Sequence, residues 1–253
     1  MKIQTPKFRS IKQPLSAAAA KIASSSSFAD DTPSVAETEG SDISNDLFCL
    51  DEESIREPRE KLQWIFKGLT LWVETEEFDN DLTKAIDYAS QFYGTEKIPM
   101  SHITAIYGMT HLSANEAMEK MEKVAEVFGN GWPAPLDRPV SVKQDLAKAG
   151  RPGQVCDVAW AELTLKTNEK HEEAIDKLYE VFEVPEKRTG PWHPHISLAY
   201  DNPDDSVLSL ADTIAYVAQN PSLMESRRIK AVSLWQTEGK MEEWKCLDRV
   251  SFF

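Results

Sequence analysis

One six-residue pattern occurs twice along this chain. It reads His-Ile-Thr-Ala-Ile-Tyr over residues 102–107 and His-Ile-Ser-Leu-Ala-Tyr over residues 195–200. A segment with helical periodicity precedes each copy. Self-similarity of this kind is typical of a fold built from two related halves. The repeat therefore predicts two equivalent strands, each of which carries one histidine.

The period of a β-strand determines which side chains of each motif lie together. Residues i and i+2 point to the same face of a strand. His102 should therefore share a face with Thr104, and His195 with Ser197, while the isoleucines between them point to the side that helices can cover. If the two halves pair about a pseudo-two-fold axis, two imidazoles and two hydroxyls converge in one cleft.

These four groups suit hydrolysis of a phosphodiester. Histidine has an unperturbed pKa near 6.5, so one ring can be neutral while the other is protonated near pH 7. The neutral ring takes a proton from water and the charged ring gives one to the leaving oxygen, and each transfer typically contributes ~10²–10⁴-fold. The hydroxyls donate hydrogen bonds to the phosphate oxygens. The scheme needs no metal and no cofactor.

The N-terminal quarter of the chain differs in composition from the remainder. Residues 1–27 contain basic residues but no acidic ones, together with runs of alanine and serine, which is typical of an organellar transit peptide and equally of a disordered basic tail. Residues 28–60 are acidic and poor in large apolar side chains, so we expect a disordered linker. We therefore predict disorder over 1–60 and one folded domain over 61–253. The predicted location is cytoplasmic, or a chloroplast or mitochondrion if residues 1–27 are a transit peptide.

Periodicity within the folded part predicts strands and helices in alternation. The predicted strands are 68–74, 101–107, 139–144, 155–166, 195–200, 229–236 and 243–252, and the predicted helices are 81–93, 113–128, 170–182 and 207–218. Gly94 should end the first helix, and a capping box at Ser113 and Glu116 should begin the second. This order indicates an α/β or α+β domain.

Several classes of protein are excluded or disfavoured. No stretch approaches the roughly 18 apolar residues of a membrane span. The net charge of -14 disfavours binding of a long nucleic acid, which requires a basic face.

A metal pair at His193 and His195 would still need a third ligand, and Pro194 lies between the two histidines. Lys187 and Arg188 are equally consistent with attracting a phosphate and with simple solvation.

Other prominent residues have ordinary interpretations. We predict that His111 and His171 are solvated surface residues. Trp235 and Trp244 fall in strand patterns and are expected in the core rather than against a ligand.

Residues 69–252 resemble the two-histidine (2H) phosphoesterases, and among them the cyclic phosphodiesterases of plants and yeast. The resemblance lies in both histidine motifs and in four flanking features: Leu69–Trp72, Pro191–Trp192, Tyr200 and the stretch 234–239 with Glu243–Trp244 behind it. Ser101 departs from the pattern, because the family usually has proline before the first histidine. The acidic N-terminal extension lies outside the resemblance.

This resemblance implies a bilobal α+β fold with two pseudo-symmetric sheet-and-helix lobes around a central cleft. It implies hydrolysis of 2′,3′-cyclic nucleotides to 2′-phosphates, or of ADP-ribose 1″,2″-cyclic phosphate to ADP-ribose 1″-phosphate. His102 and His195 would be the acid/base pair, and Thr104 and Ser197 would hold the phosphate. We expect His195 to activate water and His102 to protonate the leaving oxygen, although the sequence does not fix that order.

The resemblance also assigns Tyr200 and Trp192 to the base or ribose of the substrate. Tyr200 has the wrong parity for the cleft in a regular strand, so it reaches the cleft only if the strand ends, bulges or twists. We expect a monomer that acts on a small cyclic phosphate and has no membrane partner. The alternatives are an enzyme that processes RNA 3′ ends, a non-catalytic nucleotide- or RNA-binding module of the same fold, and a metal-dependent hydrolase.

Overall fold

The computed structural model describes residues 7–10, 67–75, 81–149, 156–186 and 188–252, with the backbone alone for residues 7–10. These residues form strands and α-helices that we number in chain order: β1 (Lys7–Ser10), β2 (Leu69–Glu74), α1 (Asp81–Tyr93), β3 (Ile103–Met109), α2 (Ala114–Val127), β4 (Ser141–Ala147), β5 (Val158–Thr164), α3 (Glu169–Val181), β6 (His195–Asp201), α4 (Leu210–Gln219), β7 (Ala231–Gln236) and β8 (Lys245–Ser251). The predicted α+β class is confirmed.

The strands form two sheets. One has the order β1-β8-β7-β2-β3, and the other has the order β4-β5-β6. All pairs are antiparallel except β1 with β8. Strand β1 lies inside the segment that we predict to be disordered, and the rest of that prediction falls on residues outside the described ones.

Local sequence signals explain the ends of two helices. Ser113 Oγ accepts a hydrogen bond from the backbone of Glu116 at 3.3 Å, and the Glu116 carboxylate accepts one from the backbone of Ser113 at 2.8 Å. This capping box satisfies donors that the first turn of α2 would leave unpaired. Helix α1 ends at Tyr93, where Gly94 takes a left-handed conformation with φ of 68°. Both predictions are confirmed.

Each sheet has one face against helices, and the packing crosses between the sheets. Helices α2 and α3 contact strands of the five-stranded sheet, whereas α1 and α4 contact the three-stranded one. Helix α1 connects β2 to β3 yet packs on β6, and α3 connects β5 to β6 yet packs on β3. The core on the helix-covered side includes Leu71, Ile103 and Ile196, which are almost fully buried. The opposite faces of the two sheets carry the motif residues.

No α-helix in the described parts of the chain is long and apolar enough to cross a membrane.

Candidate active site

The two histidine motifs occupy corresponding places at the starts of β3 and β6. His195 is the first residue of β6, and His102 immediately precedes β3 rather than lying within it as predicted. Thr104 is paired with Trp72 of β2, and Ser197 is paired with Glu162 of β5. Directly opposite residues of an antiparallel pair lie on the same face. Each motif hydroxyl therefore has one neighbouring side chain across the ladder.

His102 lies in a buried aromatic setting. Its ring stacks on Trp72 with centroids 3.6 Å apart and an angle of 8° between the planes. Trp72 stacks in turn on Trp235 at 4.2 Å. His102 Nδ1 is 2.9 Å from the carbonyl oxygen of Met100. A carbonyl only accepts, so Nδ1 carries the hydrogen in the neutral ring and Nε2 keeps its lone pair.

Burial also determines the protonation of His102. Loss of solvation lowers its pKa from the ordinary 6.5 to about 4, against the opposing effect of the hydrogen bond to Met100. Repulsion from His195 contributes a smaller part of this lowering of the pKa. His102 is therefore neutral near pH 7, with a free acceptor at Nε2.

His195 has a more polar and more open setting. Its Nδ1 is 3.2 Å from the carbonyl oxygen of His193 and 3.7 Å from Oε2 of Glu162. Its side chain is 31% exposed, and the ring lies roughly parallel to Trp160 with centroids 6.0 Å apart. Two acceptors near one ring nitrogen favour the tautomer with hydrogen on Nδ1. The two histidines thus differ in burial and in the charge beside them.

Sequence reasoning missed Glu162. Its side chain is 7% exposed, and both carboxylate oxygens accept hydrogen bonds, from Trp160 Nε1 at 2.6 Å and from Thr164 Oγ1 at 2.8 Å. These three residues alternate along β5 on the same face of the sheet as His195 and Ser197, with Glu162 paired with Ser197 and Thr164 paired with His195. A single acid within the apolar run 158–165 is the signal that could have identified it, because buried carboxylates normally have specific partners.

A β-bulge determines where Tyr200 lies. Ser197 pairs with Glu162 and Ala199 with Ala161, so Leu198 is an extra residue without a partner. The inserted residue reverses the parity beyond it, and Tyr200 returns to the face of His195 and Ser197. Burial raises the pKa of the Tyr200 phenol, which is also hydrogen-bonded to Ser197. The strand therefore bulges before Tyr200, which is one of the conditions under which this side chain can reach the cleft.

The first motif has a bulge at the corresponding residue. Thr104 pairs with Trp72 and Ile106 with Leu71, which leaves Ala105 as the extra residue. Ala105 and Leu198 both stand three places after their histidine. Tyr107 follows the first bulge as Tyr200 follows the second. Both tyrosines pack around Ala147 and Val158, together with Cys156, Trp160 and Trp244.

Trp192 is buried between the segments that carry the two motifs. Its ring is 6% exposed, and its indole N–H donates to the backbone carbonyl of Thr104 at 3.0 Å. Its backbone N–H donates to the carboxylate of Glu172 at 3.1 Å. The contact of Trp192 with base or ribose stays a prediction. Trp192 connects the segment before the second motif to the strand of the first.

Arg188 and His171 also differ from the sequence interpretation. Arg188 is held by the carboxylates of Glu172 and, at 2.9 Å, Asp176, so it fixes the segment before β6 rather than facing solvent or a phosphate. Lys187 lies outside the described residues. The prediction of a surface position is wrong for His171, which is 1% exposed and accepts a hydrogen bond from Trp132 Nε1 at 3.0 Å. It shares the inward helical face of Ala174, Ile175 and Leu178.

The predicted positions of His111 and Trp235 agree with the structure. His111 is exposed and bonds the backbone carbonyl of Phe182 at 3.0 Å. Trp235 is 7% exposed and lies in the aromatic cluster beneath His102. Within the described ranges, no three His, Cys, Asp or Glu side chains are grouped as metal ligands.

No protein-family model matches the sequence, and no curated protein matches it. One solved structure with some likeness is the crystal structure of a phosphoesterase. It is 12% identical with a TM-score of 0.38, and the alignment covers 75% of this chain and 98% of the other.

Proposed function

We propose that this protein is a phosphodiester hydrolase that opens small cyclic phosphates to phosphomonoesters by acid/base catalysis with two histidines. The proposed substrates are 2′,3′-cyclic nucleotides and ADP-ribose 1″,2″-cyclic phosphate. One observation carries the proposal: the two motifs begin β3 and β6 in the same way, with a buried His102 stacked on Trp72 and a more open His195 beside the carboxylate of Glu162. A site with one ring ready to accept a proton and a second ready to donate one is what cleavage of a P–O bond by water requires.

The proposal includes two pseudo-symmetric lobes around a cleft. The segments β2–α1–β3–α2 and β5–α3–β6–α4 have the same order, and the second helix layer repeats the crossed packing of the first. The bulges at Ala105 and Leu198 fall at the same motif position. These likenesses support a pseudo-two-fold axis between the motifs. The symmetry is incomplete, because one sheet has five strands and the other has three.

In the proposed reaction His102 is the base and His195 the acid, which reverses the order expected from the sequence. His102 Nε2 takes a proton from a water molecule, whose oxygen attacks phosphorus. A bound phosphate anion would raise the pKa of this ring from about 4 towards the operating pH, which makes it a better base when substrate is present. The hydrogen of the neutral ring lies on Nδ1 and is bonded to the carbonyl of Met100, so Nε2 has no proton to give and His102 suits the acid role poorly.

His195 completes the displacement. As the new P–O bond forms, the bond from phosphorus to one ribose oxygen breaks, and His195 Nε2 gives that oxygen a proton. The carboxylate of Glu162, 3.7 Å from Nδ1, stabilises the protonated ring before this transfer. After product release His102 returns its proton to water and His195 regains one, so the enzyme is unchanged.

Three hydroxyls are available for the phosphate oxygens. Thr104 and Ser197 lie on the motif faces, and Tyr200 is hydrogen-bonded to Ser197. Their O–H groups would donate to the non-bridging oxygens, where negative charge is greatest in the transition state. The overall charge of -14 is compatible with a small substrate held by such contacts, and we propose no membrane partner and a monomeric enzyme.

Hydrolysis with matched variants tests the proposal. Full-length protein, His102→Ala and His195→Ala would each be incubated with 2′,3′-cyclic AMP and with ADP-ribose 1″,2″-cyclic phosphate, and the products separated by chromatography. Loss of one general acid or base should lower kcat by about 10²–10⁴-fold. The exposed His111→Ala is the control and should keep wild-type turnover.

Each result has a definite meaning. Turnover by either active-site variant at the wild-type rate would overturn the two-histidine mechanism. Cleavage only of a short RNA that ends in a cyclic phosphate would move the proposal to RNA-end processing. Binding of cyclic phosphates without any product from wild-type protein would make the chain a binding module.

A further inference from the structure

We propose that Glu162 is a positioning residue that holds a negative charge beside His195, and that its counterpart Trp72 shields His102 from water, so that one pair of cross-strand neighbours gives the two histidines opposite roles. The proposal rests on the proposed function. It extends the proposed function by naming the feature that distinguishes the two otherwise similar motifs.

The pairing registers place the two residues in equivalent positions. Trp72 is directly opposite Thr104, and Glu162 is directly opposite Ser197. Both hydroxyls stand two residues after their histidine. The two halves thus present the same strand geometry to the site but differ in this neighbour, which is aromatic in one half and a carboxylate in the other.

Contacts with each histidine follow from that difference. Trp72 covers one face of the His102 ring at 3.6 Å and is itself 1% exposed, so it removes water without supplying charge. Glu162 brings a carboxylate oxygen to 3.7 Å from His195 Nδ1. Desolvation disfavours a charged imidazole, whereas an opposite charge within about 4–6 Å favours it.

Glu162 is held so that its charge stays in place. Trp160 and Thr164, on either side of it along β5, each donate to one of its oxygens. Both oxygens act as acceptors, which is the pattern of an ionised carboxylate. These bonds also limit how far the side chain can rotate away from His195, so Glu162 acts on the ring at a fixed distance.

The titratable groups around His195 and Glu162 lie on β4, on β5, on β6 and just before β3. Glu162 lies on β5, Tyr200 lies on β6, and His102 precedes β3. His102 is neutral and the Tyr200 phenol has a raised pKa, so neither carries charge near pH 7. Lys143 of β4 is directly opposite Glu162 on the same face and is exposed to solvent. Glu162 is the charged group that lies next to the ring of His195.

The variant Glu162→Gln removes the charge and keeps the shape. Its amide oxygen can accept from Trp160 Nε1, and its amide nitrogen can donate to the Thr164 hydroxyl, which also accepts. Asp157→Asn is the matched control because it removes the same charge just before β5, where Asp157 bonds the exposed Lys148 at 2.7 Å. Glu162→Asp retains the charge on a shorter side chain.

Two measurements on these variants test the proposal. Histidine NMR of the substrate-free protein, with the His195 signal assigned by its loss in His195→Gln, should show that the charged form of His195 is less favoured in Glu162→Gln than in wild type, because the opposite charge beside the ring is gone. The kcat of Glu162→Gln should fall about tenfold on the alkaline side of the pH profile, where the acid is scarce, and stay near wild type on the acidic side. Asp157→Asn should match wild type in both, and Glu162→Asp should restore part of the shift.

A uniform fall in kcat at every pH, without movement of the His195 signal, would mean that Glu162 is only structural and would overturn the proposal. An equal movement of the His195 signal in Asp157→Asn would also overturn the proposal. Because the NMR measurement needs no substrate, it tests Glu162 even if wild-type protein hydrolyses none of the cyclic phosphates, which would refute the proposed function instead.

Discussion

Replacing His102 with glutamine should reduce the loss of stability that the wild-type protein undergoes in acid. Burial holds the pKa of His102 at about 4 in the folded protein, whereas the unfolded chain has the ordinary value of 6.5. Between these values the unfolded state binds a proton that the folded state does not. Stability from this group is therefore fully present above about pH 6.5 and is lost as the pH falls towards 4.

The two pKa values give the size of the effect. Between pH 7 and pH 4.5, proton uptake by His102 in the unfolded chain lowers the free energy of unfolding by roughly 2 kcal/mol. His102→Gln cannot take up this proton, so its free energy of unfolding should fall less than that of wild type by the same amount. Urea denaturation at both pH values, followed by tryptophan fluorescence, measures the difference.

Salt distinguishes the causes of this pH dependence. Desolvation is the largest cause, and salt does not screen it, whereas salt weakens the repulsion from His195. The difference between wild type and His102→Gln should therefore persist in about 0.5 M sodium chloride, where the Debye length is only a few ångströms. Equal pH dependence in the two proteins would refute the assignment of His102 as a buried neutral ring. A difference that disappears in salt would identify repulsion, rather than burial, as its cause.

Two further predictions concern the bridge between the motifs and the role of metals. Trp192→Phe keeps a buried ring but removes the donor to the Thr104 carbonyl, so it should destabilise the protein by about 1–3 kcal/mol in urea denaturation and also lower kcat. The control Trp132→Phe loses the donor to His171 instead, so it should lower stability but leave kcat unchanged. Equal effects of the two variants on kcat would contradict the bridging role of Trp192. Incubation with EDTA followed by dialysis should leave turnover unchanged because the proposed proton transfers use histidines alone. Inactivation that a divalent metal reverses would instead identify a metal-dependent hydrolase.

The sequence predicted most of the secondary structure because its signals are local. Helix α1 begins and ends at the predicted residues, and the capping box at Ser113 begins α2 as expected. Strand ends were less accurate: β3 starts at Ile103 instead of residue 101, and β8 starts at Lys245 after a short 3₁₀ helix. Strand ends depend on which neighbouring strand is available to pair, and the sequence pattern does not contain that information.

The candidate site was predicted in part for the same reason. Alternation along a strand places His195 with Ser197, but the position of Tyr200 depends on the bulge at Leu198, which exists only through pairing with β5. Trp192 was assigned to substrate from its place in the pattern, while the structure uses its indole to bind the strand of the first motif. Glu162 was missed because it lies far from His195 in sequence and approaches it only across the ladder.

The crossed packing of the helices has a consequence for how this domain folds. Helix α1 is tied by the chain to β2 and β3 but rests on β6, and α3 is tied to β5 and β6 but rests on β3. Neither sheet gains its full helical layer until both halves of the chain are present, so the two halves cannot fold as separate units. The contacts that complete the core join distant parts of the chain, which is typical of slow, highly cooperative folding. A hinge opening between the sheets would pull a helix off its partner strand, so the core itself fixes the separation of the two imidazoles.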